Sequence, residues 1–302
     1  GDSFSSVGYS AGSSNPSADE PLGIVFPGET SCERFDEVTQ QTVHDPNWVG
    51  HLVRSVNAQR HDKALLVFDY AIPGDTVARM KLKQVGKEFL PHVSSHPAWA
   101  PWTACDTLFL TWIGINDCTW NLRLQAPSAQ ACLNDLFAAQ EKLYQAGARN
   151  FCFIDVPPAH TFPNGPKTPR AKAAYESWNP LLRAGAEAFS AAHPDATVLL
   201  FSSWDLFTRV LSDPLAAGVA YEAATRAALF TDGFHPSSAM HAVIAREILD
   251  FLRSQPAAGA SSLSHQDALA STRTGILAAP AVVPPTPDEP RSPQSLTRSL
   301  SR

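Results

Sequence analysis

The sequence predicts an α/β fold, a parallel sheet covered by helices on both faces. Three observations predict it. Four short runs rich in Val, Ile, Leu and Phe recur along the chain. Stretches with helical apolar spacing separate them, and that alternation is the mark of parallel strands joined by crossover helices. Small or hydrogen-bonding residues follow several runs directly, at the carboxyl ends where such sheets place their sites.

Each element has its own justification. Residues 6–35 are rich in Ser, Gly and Pro, carry no period and read as a long surface loop. Trp48, Leu52, Val53 and Val56 recur at helical spacing, which predicts a helix over 46–60. Ala64-Leu65-Leu66-Val67-Phe68 reads as a buried strand, followed by the turn residues Pro73-Gly74. A helix with Met80, Val85 and Phe89 inward is expected over 78–94. Leu108-Phe109-Leu110-Thr111-Trp112-Ile113 is the strongest strand and ends on Gly114. Ser128 suits an N-cap for a helix to Ala146, closed by Gly147. Phe151–Val156 is the next strand, stopped by Pro157-Pro158. A helix over 169–192 and a strand over Thr197–Phe201 follow. Ser237 or Ser238 caps a last helix through Arg253.

Composition bounds the function. The 302 residues are 44% hydrophobic and 17% charged, ample for a buried core. A net charge of −6 argues against a nucleic-acid binder, whose footprint is basic. No apolar run reaches the ~18–20 residues a membrane-spanning helix needs. The five cysteines include no CxxC pair, and they fit either a secreted enzyme with one or two disulfides or a cytoplasmic one with buried thiols. Residues 254–302 are dominated by Pro, Ser, Ala, Thr and Arg, which predicts a disordered tail. The chain opens without Met, and a further apolar strand is expected upstream of Gly1.

Three fragments carry candidate chemistry. In Gly1-Asp2-Ser3-Phe4-Ser5, Ser3 can present its hydroxyl on a tight turn as a nucleophile, provided a base takes its proton. His235 is the candidate base, and Asp232, three residues earlier, can fix its tautomer. Asn116 offers an amide donor and Gly74 an unobstructed N–H; with the N–H of Ser3 they would make a three-donor oxyanion hole. Asp117 reads as an anchor for its loop. His92 and His96 are spaced as metal ligands could be, but no third ligand is evident nearby, and no metal or other cofactor is expected. Trp99, Trp102 and Trp112 read as core residues, while Trp120, just after Asn116, could line a substrate cleft.

These fragments, in this order, resemble the four blocks of the GDSL or SGNH hydrolases. Asn47-Trp48-Val49, Thr111-Trp112-Ile113-Gly114-Ile115-Asn116-Asp117 and Val156-Pro157-Pro158 are similar to the fungal, plant-lipase-like branch, which includes the carbohydrate esterase family 16 acetylesterases. The resemblance covers residues 1–253. It implies a flavodoxin-like three-layer α/β/α sandwich, a Ser3–His235–Asp232 triad, and an oxyanion hole of Ser3, Gly74 and Asn116. It implies a serine esterase for short, acetyl-type esters, with an acetylated plant-wall oligosaccharide as one expected substrate and a lipase, an acyltransferase or a silent binding protein as alternatives. A monomer is expected, secreted, with a cytoplasmic protein as the alternative. The chain departs from the branch's pattern at Ile72-Pro73, where a glycine-rich segment is usual, and at Asp75, where a small apolar residue is common. Pro73 restricts the backbone, and a carboxylate at Asp75 would disfavour a nearby oxyanion unless it points away.

Overall fold

The structure is a computed structural model that describes residues 1–60, 63–120, 127–219, 225, 228–256 and 274–275. Its sheet contains β3 (Phe109–Trp112), β4 (Asn150–Ile154), β5 (Thr197–Phe201) and the two-residue β6 (Thr274–Gly275), in that order and all parallel. Phe109 pairs with Phe151, and Asn150 with Thr197. Before the sheet come a hairpin of β1 (Glu33–Asp36) and β2 (Gln41–His44), then α1 (Trp48–Asn57). The helix α2 (Val77–Met80) continues through a π-helical stretch, Lys81–Phe89, into α3 (Leu90–His92). Helices α4 (Ile115–Trp120), α5 (Ala129–Gln145), α6 (Pro169–Ala192), α7 (Ser203–Ser212) and α8 (Ser238–Ser254) complete the fold.

Side chains alternate across a strand, so the register separates the two faces. Phe151 and Phe153 share a face; Phe153 meets Phe137 of α5, and Phe151 meets Phe189 of α6. Phe201 lies on the other face, against Phe251 of α8, on which α1 packs. Helices thus cover both sides of an apolar sheet, and the three-layer α/β/α order expected from the sequence follows.

The helix starts obey their caps. Asn47, Ser128, Thr168 and Ser237 each accept a backbone N–H from the first turn, worth about 1 kcal/mol apiece. Gly147, at φ +109°, closes α5 as expected. Two regions differ from the sequence reading. Ala64–Phe68 joins no ladder among the described residues; Val67 N–H donates to the carbonyl of Pro21 instead. Starting at the end of the expected 6–35 loop and running past it, the β1–β2 hairpin forms because Asp36 Oδ1 accepts the N–H groups of Val38 and Thr39 and tightens the turn. The hairpin is exposed on both faces, so no apolar alternation marks it.

All five cysteines are unbridged; Cys32, Cys118, Cys132 and Cys152 are buried and Cys105 is exposed. Among the described residues, no helix is long and apolar enough to cross a membrane. The expected tail lies largely outside the described residues.

Candidate active site

Ser3 sits on a tight turn closed by Ser5 and Ser6 N–H, both donating to the Asp2 carbonyl. The Asp2 carboxylate accepts the Phe4 N–H, and burial pushes its acid up to about 6. Asn47 ties this turn to α1. Its Nδ2 donates to the carbonyls of Ser5 and Ser6, while its Oδ1 accepts the Val49 and Gly50 N–H groups. Trp48 Nε1 donates to Ser5 Oγ. Three polar contacts therefore hold the turn from behind, and Ser3 itself stays 8% exposed.

Ser3 Oγ lies 3.0 Å from His235 Nε2, across 232 residues of sequence. His235 Nδ1 lies 2.8 Å from Asp232 Oδ2. Asp232 Oδ1 accepts the backbone N–H groups of Phe234 and His235, so Asp232 organises the loop that carries His235. Partial burial works to raise the Asp232 acid, but the hydrogen bonds from the His235 ring, the His235 N–H and the Phe234 N–H outweigh it and leave the acid below its ordinary value. This carboxylate is therefore ionised near neutrality and can stabilise an imidazolium. Asn164 braces the loop from outside: its N–H donates to the Gly233 carbonyl and its Nδ2 to the Asp232 carbonyl.

The expected oxyanion donors stand on two further segments. Ile72-Pro73-Gly74-Asp75 forms a turn in which Asp75 N–H donates to the Ile72 carbonyl. Gly74 has φ +73°. Proline in the second place and a positive-φ glycine in the third are the residues a type II turn requires, so Pro73 presets the turn rather than distorting it. The turn bond uses the Asp75 N–H, and Ile72 N–H donates to the Gly1 carbonyl, which links the turn to the nucleophile segment. Asn116 lies in the first turn of α4 rather than in a strand-end loop; its Nδ2 donates to the Asp75 carbonyl at 3.0 Å. Gly114, at φ +125°, admits the Trp178 indole where a Cβ would lie 2.4 Å from the ring. Asp117 anchors its neighbours as expected: both carboxylate oxygens accept the Val77 N–H at the start of α2. Burial pushes the Asp117 acid up to about 6.

Asp75 is fully buried, and its carboxylate turns into the protein. Oδ1 lies 2.7 Å from Arg79 Nε, and Oδ2 accepts Gln84 Nε2. Arg79, Gln84 and Asn164 went unmarked in the sequence reading, since nothing local distinguishes them. Asn47 carried a signal, an Asn immediately before a helical apolar pattern. Trp102 and Trp112 are buried as expected, whereas Trp99 is 36% exposed and only leans on Phe68 rather than entering the core; the Trp120 side chain lies outside the described residues. His96 stacks on Trp102 with its Nδ1 at the Trp102 carbonyl. Among the described residues no three potential ligands are grouped to hold a metal ion. A cavity of about 480 Å³ lined by Val7, Ile24, Phe26 and Val43 includes none of Ser3, Asp232 and His235.

The family model described as GDSL-like lipase/acylhydrolase matches residues 1–248. An acetylesterase from Thermothelomyces thermophilus is 28% identical over 275 residues, covering 83% of this chain and 85% of that protein. Among solved structures, an alpha/beta hydrolase enzyme from the metagenome of Lake Arreo, Spain, is similar with a TM-score of 0.50 at 18% identity, over 82% of this chain and 90% of that one. An acetylxylan esterase from Geobacillus stearothermophilus gives 0.47 at 17% identity over the same shares. A model matched from the first residue to the last helix leaves one assignment: the chain belongs to the GDSL-like lipase/acylhydrolase family.

Proposed function

We propose that the chain is a serine esterase that hydrolyses short acyl esters, acetyl esters first, with Ser3 as nucleophile. One observation carries this reading: the continuous relay from Ser3 Oγ to His235 Nε2 at 3.0 Å and from His235 Nδ1 to Asp232 at 2.8 Å. Those spacings are what proton removal from a serine hydroxyl needs. In the proposed reaction, His235 takes the Ser3 proton as Oγ attacks the ester carbonyl. The tetrahedral oxyanion is stabilised by the Ser3 N–H, the Gly74 N–H and the second hydrogen of Asn116 Nδ2. His235 then protonates the departing alcohol, and water, activated by the same imidazole, releases the acid. Asp232 keeps the Nδ1 proton in place throughout.

The acyl preference is supported by the acetylesterase from Thermothelomyces thermophilus, which matches most of both chains. The proposed natural substrate is an acetylated oligosaccharide whose sugar hydroxyl leaves as the alcohol. Two measurements test the reading. Ser3→Ala should lower kcat on p-nitrophenyl acetate by about 10⁴-fold or more with the fold intact by circular dichroism; unchanged turnover would remove Ser3 from the mechanism. A series of acetyl, butyryl and octanoyl esters, with acetylated oligosaccharides alongside, should give the highest kcat/KM on acetyl. A preference for octanoyl would make the protein a lipase instead.

A further inference from the structure

Directly after the Gly74 turn this chain puts a fully buried carboxylate, Asp75. Its surroundings assign it a task. Asp75 reaches the oxyanion donors through its backbone. Its carbonyl accepts one hydrogen of Asn116 Nδ2, and Gly74 is its covalent neighbour. An amide group is planar, so fixing one N–H of Asn116 fixes the direction of the other. The Asp75 side chain reaches in the opposite direction. Oδ2 accepts Gln84 Nε2 at 2.9 Å, and the same nitrogen donates to the Gly1 carbonyl at 2.7 Å. Gln84 is 4% exposed and sits in the π-helical stretch, so it bridges the oxyanion turn and the nucleophile turn from within the core. Arg79 Nε at 2.7 Å from Oδ1 supplies the countercharge, as an ion-pair contact rather than an aligned hydrogen bond.

We infer that Asp75 is a positioning residue for the oxyanion hole, holding the Gly74 turn and the Asn116 amide in register with Ser3 while Arg79 cancels the charge that the carboxylate buries behind that turn. The inference rests on the esterase reading above and adds to it. Two effects are separable. The Gln84 bridge sets geometry, which an amide at position 75 can keep. The Arg79 contact sets charge, which matters only while residue 75 carries a carboxylate rather than an amide. Without Arg79, the buried carboxylate would oppose the negative charge that forms on the substrate oxygen in the transition state. A ground-state ester carries no such charge, so kcat should respond and KM should not.

The test is a double-mutant cycle on p-nitrophenyl acetate with the full chain. Arg79→Ala should lower kcat about 10- to 100-fold, less than the ~10²–10³ that follows loss of a whole oxyanion donor, with KM within about twofold. Asp75→Asn/Arg79→Ala should recover most of that loss, because the uncompensated charge is gone. Arg79→Lys should stay within about threefold of the parent. A role confined to stability would give additive losses and no recovery in the double variant. Unchanged kcat in Arg79→Ala, or a double variant no faster than the single, overturns the inference. Stoichiometric labelling by a fluorophosphonate counts folded sites in each variant; if Arg79→Ala does not fold, Arg79→Gln takes its place in the cycle. Ser3→Ala run in parallel separates the two readings. An inactive Ser3→Ala beside a normal Arg79→Ala sinks only this inference, whereas an active Ser3→Ala sinks the esterase mechanism beneath it.

Discussion

The two halves of the site are held in different ways. In the proposed site the donor half consists of Ser3, Gly74 and Asn116 on three separate segments held by buried side chains: Gln84 bridges the Ser3 and Gly74 segments, Asp117 ties α4 to the start of α2, and Asn47 backs the Ser3 turn. The base half is one short loop, Asp232 to His235, which is closed by its own acid and steadied at the rim by Asn164. The Asp232 side chain is 56% exposed and that of His235 28%, whereas Asn47, Asp75 and Gln84 are buried. The donor half is thus a product of tertiary packing and the base half a product of local sequence. Damage to the first should cost both folding and rate; damage to the second should cost rate alone.

The sharpest way to break that contrast is at the base. Asp232→Asn keeps the shape of the side chain but can present an amide N–H to His235 Nδ1, which favours the wrong tautomer. We expect kcat to fall by about 10²–10⁴-fold with the denaturation midpoint nearly unchanged. A large loss of stability would show that the base loop is not locally held. The complementary change is Asn47→Ala. It removes an N-cap and leaves two buried carbonyls, of Ser5 and Ser6, without their donor. Urea unfolding should show a loss of about 2–3 kcal/mol, accompanied by a lower kcat. Intact stability would place the support of the nucleophile turn elsewhere.

The smallest expected effect sharpens the comparison through pH. Asp155, at the end of β4, is buried, and burial pushes its acid up to about 6 against the hydrogen bonds from Trp204 N–H, Ser202 and Ser203. A carboxyl raised in the folded state binds its proton more tightly there than in the unfolded chain. Its contribution therefore favours the fold below about pH 4 and is lost as pH rises through about 6. Asn at this position would keep an acceptor for Trp204 N–H and Ser203 and could donate to Ser202 Oγ, without titrating. Asp155→Asn should accordingly lose less stability than the parent between about pH 4 and pH 6, by about 2 kcal/mol. His241 pulls in the opposite direction, since burial holds its imidazole down to about 3 and its contribution is lost as pH falls below the ordinary value. That trend is common to parent and variant, so the difference between the two curves isolates Asp155. Equal slopes would mean that Asp155 keeps an ordinary carboxyl.

Much of this was legible in the residues. Helices α5 and α6 and strand β5 fall where the sequence reading puts them; Ser128 caps α5 as expected, and the Thr168 cap with Pro169 is the local signal that starts α6. The Ser3, Asp232 and His235 fragments were legible as blocks, and the Asp232–His235 pair is a short-range contact that spacing alone can suggest. Three features were not. The β1–β2 hairpin is set by an Asp36 turn and covers no core, so hydrophobic alternation is silent there. The Ala64–Phe68 run has strand composition, but what it pairs with is decided by where the Pro21 carbonyl lies. The Arg79–Asp75–Gln84 bridge exists only once the π-helical stretch folds back over Gly1, and composition does not encode that approach.

One torsion angle in the donor half has a particular consequence. A methyl group drawn onto Gly74 would meet no neighbour within 4 Å, whereas on Gly114 it would strike the Trp178 ring. Crowding excludes every side chain at the second position; at the first only handedness does, because φ +73° is strained for an L-residue. The direction in which an incoming carbonyl would be greeted is therefore set by stereochemistry at a single carbon, with empty space beside it for evolution or a chemist to use.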